Sequence, residues 1–305
     1  QSVDTAYAGQ RVAVNFSNLK KSDIQRGDVV AVPGSMHTTM MVDVRLNVLK
    51  DAKRVIKNTS RLHFYHGSRE VLCKAVLLEG DVLEAGQSAF AQLRLEEEVA
   101  LKAGDHFVVR FYSPLETVGG GVVLDPSPFK RRRGDEQALE GLRVLEKGSL
   151  KDKIEQGIRE GSTHYRLLDF VAVQFGTSLE EARALAGELE QEGKIVRIAG
   201  DLYLHRDFAE AQGKRLSEIL REYHTANPLK EGMKKEEVRT RFLPRQEQAV
   251  ADGMLAYYEK VERIKIVNGL VSLFKFKVKL DEEASRMMKE MEKIYLDGGY
   301  APPAT

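Results

Sequence analysis

The sequence is poor in cysteine, the residue that forms disulfide cross-links. Its 305 residues include only one. A single cysteine, Cys73, permits neither an internal disulfide nor a CxxC metal site, which predicts a reducing, cytoplasmic compartment. Because Cys73 alternates with apolar neighbours in the run VLCKAV, we expect it to be a small core residue of a strand.

Long hydrophobic runs and targeting signals are also missing. No run of about 18 apolar residues occurs, so neither a transmembrane helix nor a membrane partner is expected. The first residues, Gln1-Ser2-Val3-Asp4, have no signal-peptide pattern and no initiating methionine. We therefore expect a chain that begins inside a larger protein.

The motifs of common catalytic sites are absent as well. The sequence contains no GxxxxGK[ST] phosphate loop, no HExxH zinc motif and no GxSxG nucleophile motif. His63 and His66 lie three residues apart on a predicted strand and point to opposite faces, which disfavours a shared metal ion. The chain is therefore predicted not to be an enzyme, with no catalytic residue, no metal site and no cofactor of its own.

A large excess of charge is absent too. Charged residues make up 30% of the chain, but the formal net charge is only +1. Any surface for nucleic acid must therefore be local. The hydrophobic content of 42% is sufficient for real cores, and at roughly 150 residues per domain the length predicts two domains, or three if the modules are small.

The first part of the chain has the pattern of antiparallel β structure. Short segments rich in β-branched residues alternate with turn residues, which is typical of barrels rather than of a βαβ sheet. The predicted strands cover residues 10–16, 28–32, 40–49, 60–66, 70–78, 88–95 and 105–112. The glycine run at 119–121 could hold a phosphate with backbone N–H groups, but a strand in close contact with its neighbours is favoured, because no lysine follows.

The second part of the chain has helical periodicity and contains two similar units. The first has predicted helices near 150–160, 165–174 and 179–192, followed by a β-ribbon at 194–204. The second has helices near 214–225, 234–242 and 246–260, followed by a ribbon at 261–279 with an Asn268-Gly269 turn. Three helices and a ribbon, repeated, predict two winged-helix domains. Ser149 and Ser178 are expected to cap helices, and a last amphipathic helix is predicted over 282–296.

Two groups of basic residues are candidates for contacts with a nucleic-acid backbone. The first is the run Lys130, Arg131, Arg132 and Arg133, for which phosphate binding and a solvated domain junction are equally good explanations. The second lies in the second ribbon, where residues 260–279 hold six basic residues and one acidic residue. Its candidates are Lys265, Lys275, Lys277 and Lys279, and here a charged edge that prevents aggregation is slightly favoured.

Several strings resemble the bacterial selenocysteine-specific elongation factor family, SelB. Residues 8–15 (AGQRVAVN) and 24–30 (IQRGDVV) resemble the end of the second barrel of translational GTPases. Residues 117–126 (TVGGGVVLDP) look like the close of the third domain of SelB, which is similar to the third domain of EF-Tu. Residues 227–239 and 298–303 look like parts of the winged-helix array of SelB.

The resemblance implies a domain order. It predicts a remnant of a second β-barrel at 1–38, a third β-barrel domain at 39–128 and a linker helix at 129–148. Winged helices follow at 149–212 and 213–280, and 281–305 is the start of a connection to a further winged helix. The GTPase domain, which would hold GTP and Mg²⁺, and the last winged helices, which grip the mRNA hairpin in this family, are expected to be missing.

The resemblance also implies partners and contact residues. It predicts selenocysteinyl-tRNA and the ribosome as direct partners, and the selenoprotein mRNA hairpin as a partner through the missing domains. Arg11, in the AGQR string, would lie by the aminoacyl end of the tRNA, where a guanidinium favours an ionised selenol. Arg45, Arg61 and Arg110 are candidates for contacts between the third domain and the tRNA.

Two other interpretations stay open from the residues alone. The first is a DNA-binding regulator with a β-barrel sensing domain, which needs cationic or amide side chains on a recognition helix. The helix at 179–192 carries five glutamates and does not fit, whereas Arg245, Gln246 and Gln248 keep the second unit possible. The other is a purely structural spacer.

Overall fold

The computed structural model describes residues 5–278 and 282–298. The chain divides into two compact units. The first comprises residues 1–148 and 173–176, and the second comprises residues 149–172 and 177–305.

The first unit contains a closed antiparallel barrel of six strands. The strand order is β1-β6-β4-β3-β7-β8, and β8 pairs with β1 to close the barrel. The strands are β1 (Thr38–Val48), β3 (Ser60–His66), β4 (Arg69–Leu77), β6 (Ser88–Ala100), β7 (His106–Phe111) and β8 (Thr117–Asp125). Two further short strands, β2 (Ile56–Lys57) and β5 (Val82–Leu83), pair with each other. The predicted antiparallel barrel is confirmed.

The core of the barrel consists of the inward-facing residues of the alternating strands. Leu62, Phe64 and Cys73 are fully buried members of one apolar cluster. Burial raises the pKa of the Cys73 thiol to about 12, so this cysteine is an unreactive core residue. The prediction for Cys73 is confirmed.

The glycine run is a strand at a point of close backbone approach. Gly119, Gly120 and Gly121 lie in β8 and pair with both β1 and β7. A Cβ atom on Gly119 would lie 2.2 Å from the carbonyl oxygen of Asn47, and one on Gly120 would lie 2.4 Å from that of Phe107. Only glycine fits here, because the neighbouring strands leave no room for a side chain.

Two predicted strands do not form. Residues 10–16 and 28–32 have no regular secondary structure, and Val14, Val30 and Val32 are exposed. Their alternating pattern is that of a strand, but a strand requires a partner to satisfy its backbone N–H and C=O groups. No such partner is present among the described residues, so the prediction of strands here is wrong for this chain.

A buried ionic cluster lies at one edge of the barrel. Arg131 Nε donates to Asp43 Oδ2 at 2.7 Å, and Arg131 Nη2 lies 3.9 Å from Asp125 Oδ2. The amides of Gln92 and Gln174 donate to the same two carboxylates. Burial raises the pKa of Asp43 to about 7, with the Asp125 charge adding to the shift and Arg131 opposing it.

A helix packs against the outside of the barrel. Helix α1 (Glu136–Lys147) begins at Asp135, whose carboxylate accepts from the Ala138 N–H. Its apolar face, formed by Leu139, Leu142 and Leu145, packs against Leu78, Phe90 and Leu124 of the barrel in a second apolar cluster.

The second unit begins with a winged helix. Its helices are α2 (Leu150–Gly161), α3 (Leu168–Gln174, whose last two residues belong to the first unit) and α4 (Leu179–Gln191), and its ribbon is β9 (Ile195–Ala199) with β10 (Leu202–His205). Ser149 and Asp152 form a reciprocal capping box at α2. The Ser178 hydroxyl accepts from the Glu181 N–H at α4, so both predicted caps are confirmed.

A second winged helix follows directly. Its helices are α5 (Arg206–Ala226), α6 (Lys235–Phe242) and α7 (Gln248–Lys260), and its strands are β11 (Met233–Lys234), β12 (Ile264–Val267) and β13 (Leu270–Leu273). The sheet order β11-β13-β12 is typical of a winged helix. Asn268 and Gly269 both have positive φ, as a type I′ hairpin turn requires. Two winged helices are therefore confirmed.

The two winged helices share one core. Leu202 and Leu204 of the first ribbon belong to the same apolar cluster as Leu216, Leu255 and other residues of the second winged helix. A Cβ on Gly253 of α7 would lie 3.0 Å from Ile198 Cγ2 and 3.1 Å from Ala199 Cβ. The ribbon of the first winged helix therefore packs directly on α7.

The second ribbon ends earlier than the sequence indicates. Strand β13 stops at Leu273, and the alternating residues that follow are not a strand. Instead, the Phe276 ring stacks on His224 with centroids 3.5 Å apart, and the Phe276 N–H donates to the Leu273 carbonyl. Aromatic stacking on α5 replaces the predicted strand pairing. The last described element is α8 (Glu282–Gly298).

Candidate nucleic-acid interface

A cluster of exposed cations in the first unit lines a groove at one end of the barrel. The groove has a volume of about 630 Å³, and we call it the β3–β7 groove. It is lined by Lys53, Arg54, Val55, Lys57, Ser60, Arg61, Phe111, Tyr112 and Ser113. Four of these residues are cations and none is acidic, so the groove is suited to a polyanion.

Aromatic rings hold two of the guanidinium groups. The Arg54 Cζ atom lies 4.0 Å from the centroid of the Phe111 ring, and Arg54 Nη1 donates to the Ser113 carbonyl at 3.3 Å. The Arg61 Cζ atom lies 5.0 Å from the Tyr112 ring. These contacts orient the two arginine side chains in the free protein. They therefore reduce the conformational entropy that these side chains lose when a ligand binds.

A row of cations extends from the groove across the outer face of the barrel. Arg61 on β3 is directly opposite Lys74 on β4, and Lys74 is directly opposite Arg94 on β6. Neighbouring strands are about 4.8 Å apart, so three positive charges follow one line across three strands. Like charges in such positions repel each other, which makes an anionic ligand favourable on this face.

Two guanidinium groups on this face have unused donors. Arg110 lies opposite His63 and donates from Nη2 to the Leu115 carbonyl at 3.4 Å. Its Nε atom, like that of Arg94, is buried and has no hydrogen-bond partner among the described residues. Buried donors without acceptors are costly, but a buried atom cannot contact a ligand, so these two Nε atoms do not add to the surface available to a phosphate.

The other predicted tRNA-contact residues have different environments. Arg45 lies 3.4 Å from Glu146 and stacks over the Phe90 ring at 4.8 Å, so it stabilises the packing of α1 on the barrel. Arg11 is exposed in the segment that forms no strand. The structure therefore brings Arg61 and Arg110 to one face and does not bring Arg45 or Arg11 to it.

The basic run at 130–133 separates into two kinds of residue. Arg131 is buried in the ionic cluster with Asp43. Arg133 donates to the Leu77 and Gly80 carbonyls and pairs with Asp81. Lys130 and Arg132 are exposed. The prediction that the whole run could grip a backbone is wrong for Arg131, because the fold uses its charge to neutralise buried carboxylates.

The basic residues of the second ribbon are also not equivalent. Lys265 Nζ donates to the Phe276 carbonyl at 2.7 Å, so it helps to hold the segment that follows β13. Lys275 and Lys277 are exposed, but they do not share the face of a strand as predicted. Lys279 lies outside the described residues.

Helix α7 is poorly placed to read a nucleic-acid groove. One side of it is covered by β9 at Gly253, and Asp252 is paired with Arg239 and Lys235. The exposed positions of α7, all within the described residues, are Gln248, Ala249, Ala256, Glu259 and Lys260. Arg245 and Gln246 precede the helix. Of the exposed helix positions only Gln248 and Lys260, at the two ends of the helix, carry an amide or a cation, so the middle of this surface has no side chain suited to base recognition.

The most basic part of the groove is not among the residues predicted from the sequence. Lys53, Arg54 and Lys57 lie within five positions in the run KRVIK, which is a signal for a local cationic patch. Lys74 and Arg94 have no signal in the linear sequence, because only the strand register aligns them with Arg61.

The described residues contain no group of three or more His, Cys, Asp or Glu residues arranged to hold a metal ion. Within the same residues, no helix is both long and apolar enough to cross a membrane.

The fold and the groove together define a class of protein: a closed β-barrel with a cationic outer face, followed by tandem winged-helix modules. Two family models match the chain. Residues 43–130 match the β-barrel domain of the selenocysteine-specific elongation factor, and residues 217–273 match a winged helix of elongation factor SelB. Both models describe domains of selenocysteine-specific elongation factors, and together they support an assignment of the matched parts of the chain to SelB-type domains.

Curated relatives agree with this assignment. A selenocysteine-specific elongation factor of Desulfomicrobium baculatum is 27% identical over 319 residues, covering 100% of this chain and 48% of the relative. One from Escherichia coli (strain K12) is 25% identical over 306 residues, covering 97% and 45%. The chain thus spans about half the length of these relatives. A crystal structure of bacterial selenocysteine-specific elongation factor EF-Sec shares the fold, with a TM-score of 0.58, 18% identity, and coverage of 90% of this chain and 41% of that one.

Proposed function

We propose that the first unit binds the phosphate backbone of a tRNA, selenocysteinyl-tRNA in the complete factor, and that the β3–β7 groove and its row of cations form the contact. The observation that carries this proposal is the alignment of Arg61, Lys74 and Arg94 beside a groove with three further cations. Backbone contacts by Lys and Arg release counterions and supply most of the sequence-independent affinity for nucleic acids.

The winged helices serve as an arm in this proposal and not as readers of sequence. Their shared core makes them one compact unit, and among the exposed positions of α7 only Gln248 and Lys260, at the ends of the helix, carry an amide or a cation. Such an arm would connect the tRNA-binding barrel to the parts of the factor that bind the mRNA hairpin. We assign no step of GTP hydrolysis to the residues of this sequence.

The test is binding of the 305-residue chain to an unmodified selenocysteine tRNA transcript, measured by fluorescence anisotropy as a function of salt. We expect the double variant Lys53→Gln/Arg54→Gln to weaken binding by about tenfold or more and to reduce the slope of log K against log salt by about 1.4–1.8, the value for two lost phosphate contacts. The matched control is Lys102→Gln/Lys147→Gln. It also removes two exposed positive charges, but Lys102 lies at the other end of β7 and Lys147 at the end of α1.

Three outcomes would contradict the proposal. Equal effects of the two double variants would show that the groove is not the contact. Salt-dependent binding to duplex DNA without binding to the tRNA would favour the DNA-binding regulator. An absence of binding to either nucleic acid by the folded chain would favour a structural spacer.

A further inference from the structure

Arg61, which lies in both the groove and the cation row, is already paired in the free protein. Its Nε atom donates to Glu96 Oε1 at 2.9 Å and its Nη2 atom to Glu96 Oε2 at 2.8 Å. This two-point geometry is also the one with which a guanidinium binds phosphate. The side chains are 49% and 46% exposed, so a ligand can reach the pair. The donors best suited to a phosphate are therefore occupied by a carboxylate.

The strand geometry explains why a carboxylate is present here. Glu96 follows Arg94 by two positions on β6, so both side chains lie on the outer face. Hydrogen bonds from Arg61 lower the pKa of Glu96, and the charges of Arg61 and Lys74 add to the shift. Glu96 is therefore ionised at neutral pH and offsets the repulsion within the row. An RNA phosphate would relieve the same repulsion. Glu96 and a bound phosphate would therefore each neutralise the same cations at the same position.

The neighbouring glutamates on β6 have different partners. Glu97 accepts from Arg69 Nη2 at 2.8 Å, and Glu98 accepts from the Thr38 hydroxyl at 2.8 Å. Among the described residues, Glu96 is thus the glutamate of this run that is bonded to a cation of the groove. Glu97 provides a matched carboxylate on the same strand, one position away.

We propose that Glu96 competes with RNA for Arg61 and thereby limits the affinity of the β3–β7 groove. An arriving phosphate must either displace Glu96 from Arg61 or bind beside a fixed negative charge. Both routes weaken binding and reduce the number of cations that release counterions. The proposal rests on the proposed function, because it concerns the regulation of the same groove.

The experiment compares Glu96→Gln with Glu97→Gln in the 305-residue chain, with the selenocysteine tRNA transcript as the probe. Glu96→Gln is expected to tighten binding by about two- to fivefold, the range that corresponds to an exposed ion pair. The slope of log K against log salt should become steeper by about 0.7–0.9, because one more cation becomes available. Glu97→Gln removes the same charge but leaves Arg61 paired, so its effect should stay below twofold.

A double-mutant cycle separates competition for Arg61 from a general charge effect. In an Arg61→Gln background, the effect of Glu96→Gln should fall to that of Glu97→Gln. Equal tightening by the two single variants, or an undiminished effect in the Arg61→Gln background, would overturn this inference. If these results occur while Lys53→Gln/Arg54→Gln still weakens binding, the groove keeps its proposed function and only the role of Glu96 is lost. If the folded wild-type chain does not bind the transcript, both proposals fail.

Discussion

Arg131 and Arg132 are neighbours in the chain and have the same side chain, but their environments are opposite. The Arg131 side chain is 9% exposed and contacts Asp43, which is completely buried. Arg132 is exposed. At the scale of single residues, the role of an arginine therefore depends on its burial, and a run of arginines in the sequence does not show which of them is buried.

This contrast leads to a prediction about stability. Arg131→Gln should lower the free energy of unfolding of the first unit by about 3–5 kcal/mol, because it leaves two buried carboxylates without their cation. Arg132→Gln removes the same charge at an exposed position and should change it by no more than about 0.5 kcal/mol. Urea denaturation followed by circular dichroism measures both. Similar values for the two variants would show that the cluster does not stabilise the barrel.

Other assignments at this scale were accessible from the sequence. Cys73 was predicted as a core residue because it alternates with apolar neighbours, and it is buried. Arg61 and Arg110 were predicted as contact residues from the resemblance, and they lie on one face; their contact with RNA stays a prediction. The pairing of Arg61 with Glu96 joins residues 35 positions apart, which local patterns do not show.

Secondary-structure elements were predicted well where the signal is local. The capping box at Ser149 and the Asn268-Gly269 turn depend on residues within a few positions of each other, and both are present. The strands predicted at 10–16 and 28–32 fail because strand formation depends on a partner elsewhere. Helix α5 is longer than its predicted range of 214–225, since it begins after His205, whose side chain accepts from the Asp207 N–H.

The contact between β9 and α7 provides a prediction at the scale of elements. On helix propensity alone, Gly253→Leu should stabilise α7 by about 0.8 kcal/mol. We expect destabilisation of the second unit by about 1–3 kcal/mol instead, because a side chain at 253 would collide with Ile198 and Ala199. Ala256→Leu, at an exposed position of the same helix, is the control and should be nearly neutral. The free energy of unfolding in urea distinguishes the two, and a more stable Gly253→Leu variant would refute the packing argument.

At the scale of the whole molecule, charges of both signs are spread along the chain. The formal net charge is +1, and residues 1–128, which include the barrel, hold 15 basic and 15 acidic residues, so the cation row is a local feature of one face. Residues 129–211 alone hold 14 basic and 16 acidic residues. Binding to a polyanion is therefore expected to depend on one face of the first unit and to be strongly sensitive to salt.

A second expectation at this scale concerns catalysis. The 305-residue chain should release no phosphate from GTP and Mg²⁺ above the rate in buffer, because its sequence has no phosphate-binding loop with a lysine. A phosphate-release assay tests this, with a translational GTPase that has an intact loop as the positive control. Saturable turnover that purifies with the folded chain would contradict the assignment of GTP hydrolysis to other residues.

The sequence by itself determined the class of fold and the family resemblance. Strand alternation, helix caps and turn residues act over a few positions, so they can be recognised without a partner. Only the tertiary structure decided which charges are available. Tertiary packing places Arg131 against the buried Asp43 and leaves Arg132 exposed. The strand register aligns Arg61, Lys74 and Arg94, and Glu96 bonds to Arg61. These relations join distant segments, and Coulomb and hydrogen-bond energies depend on distance in space.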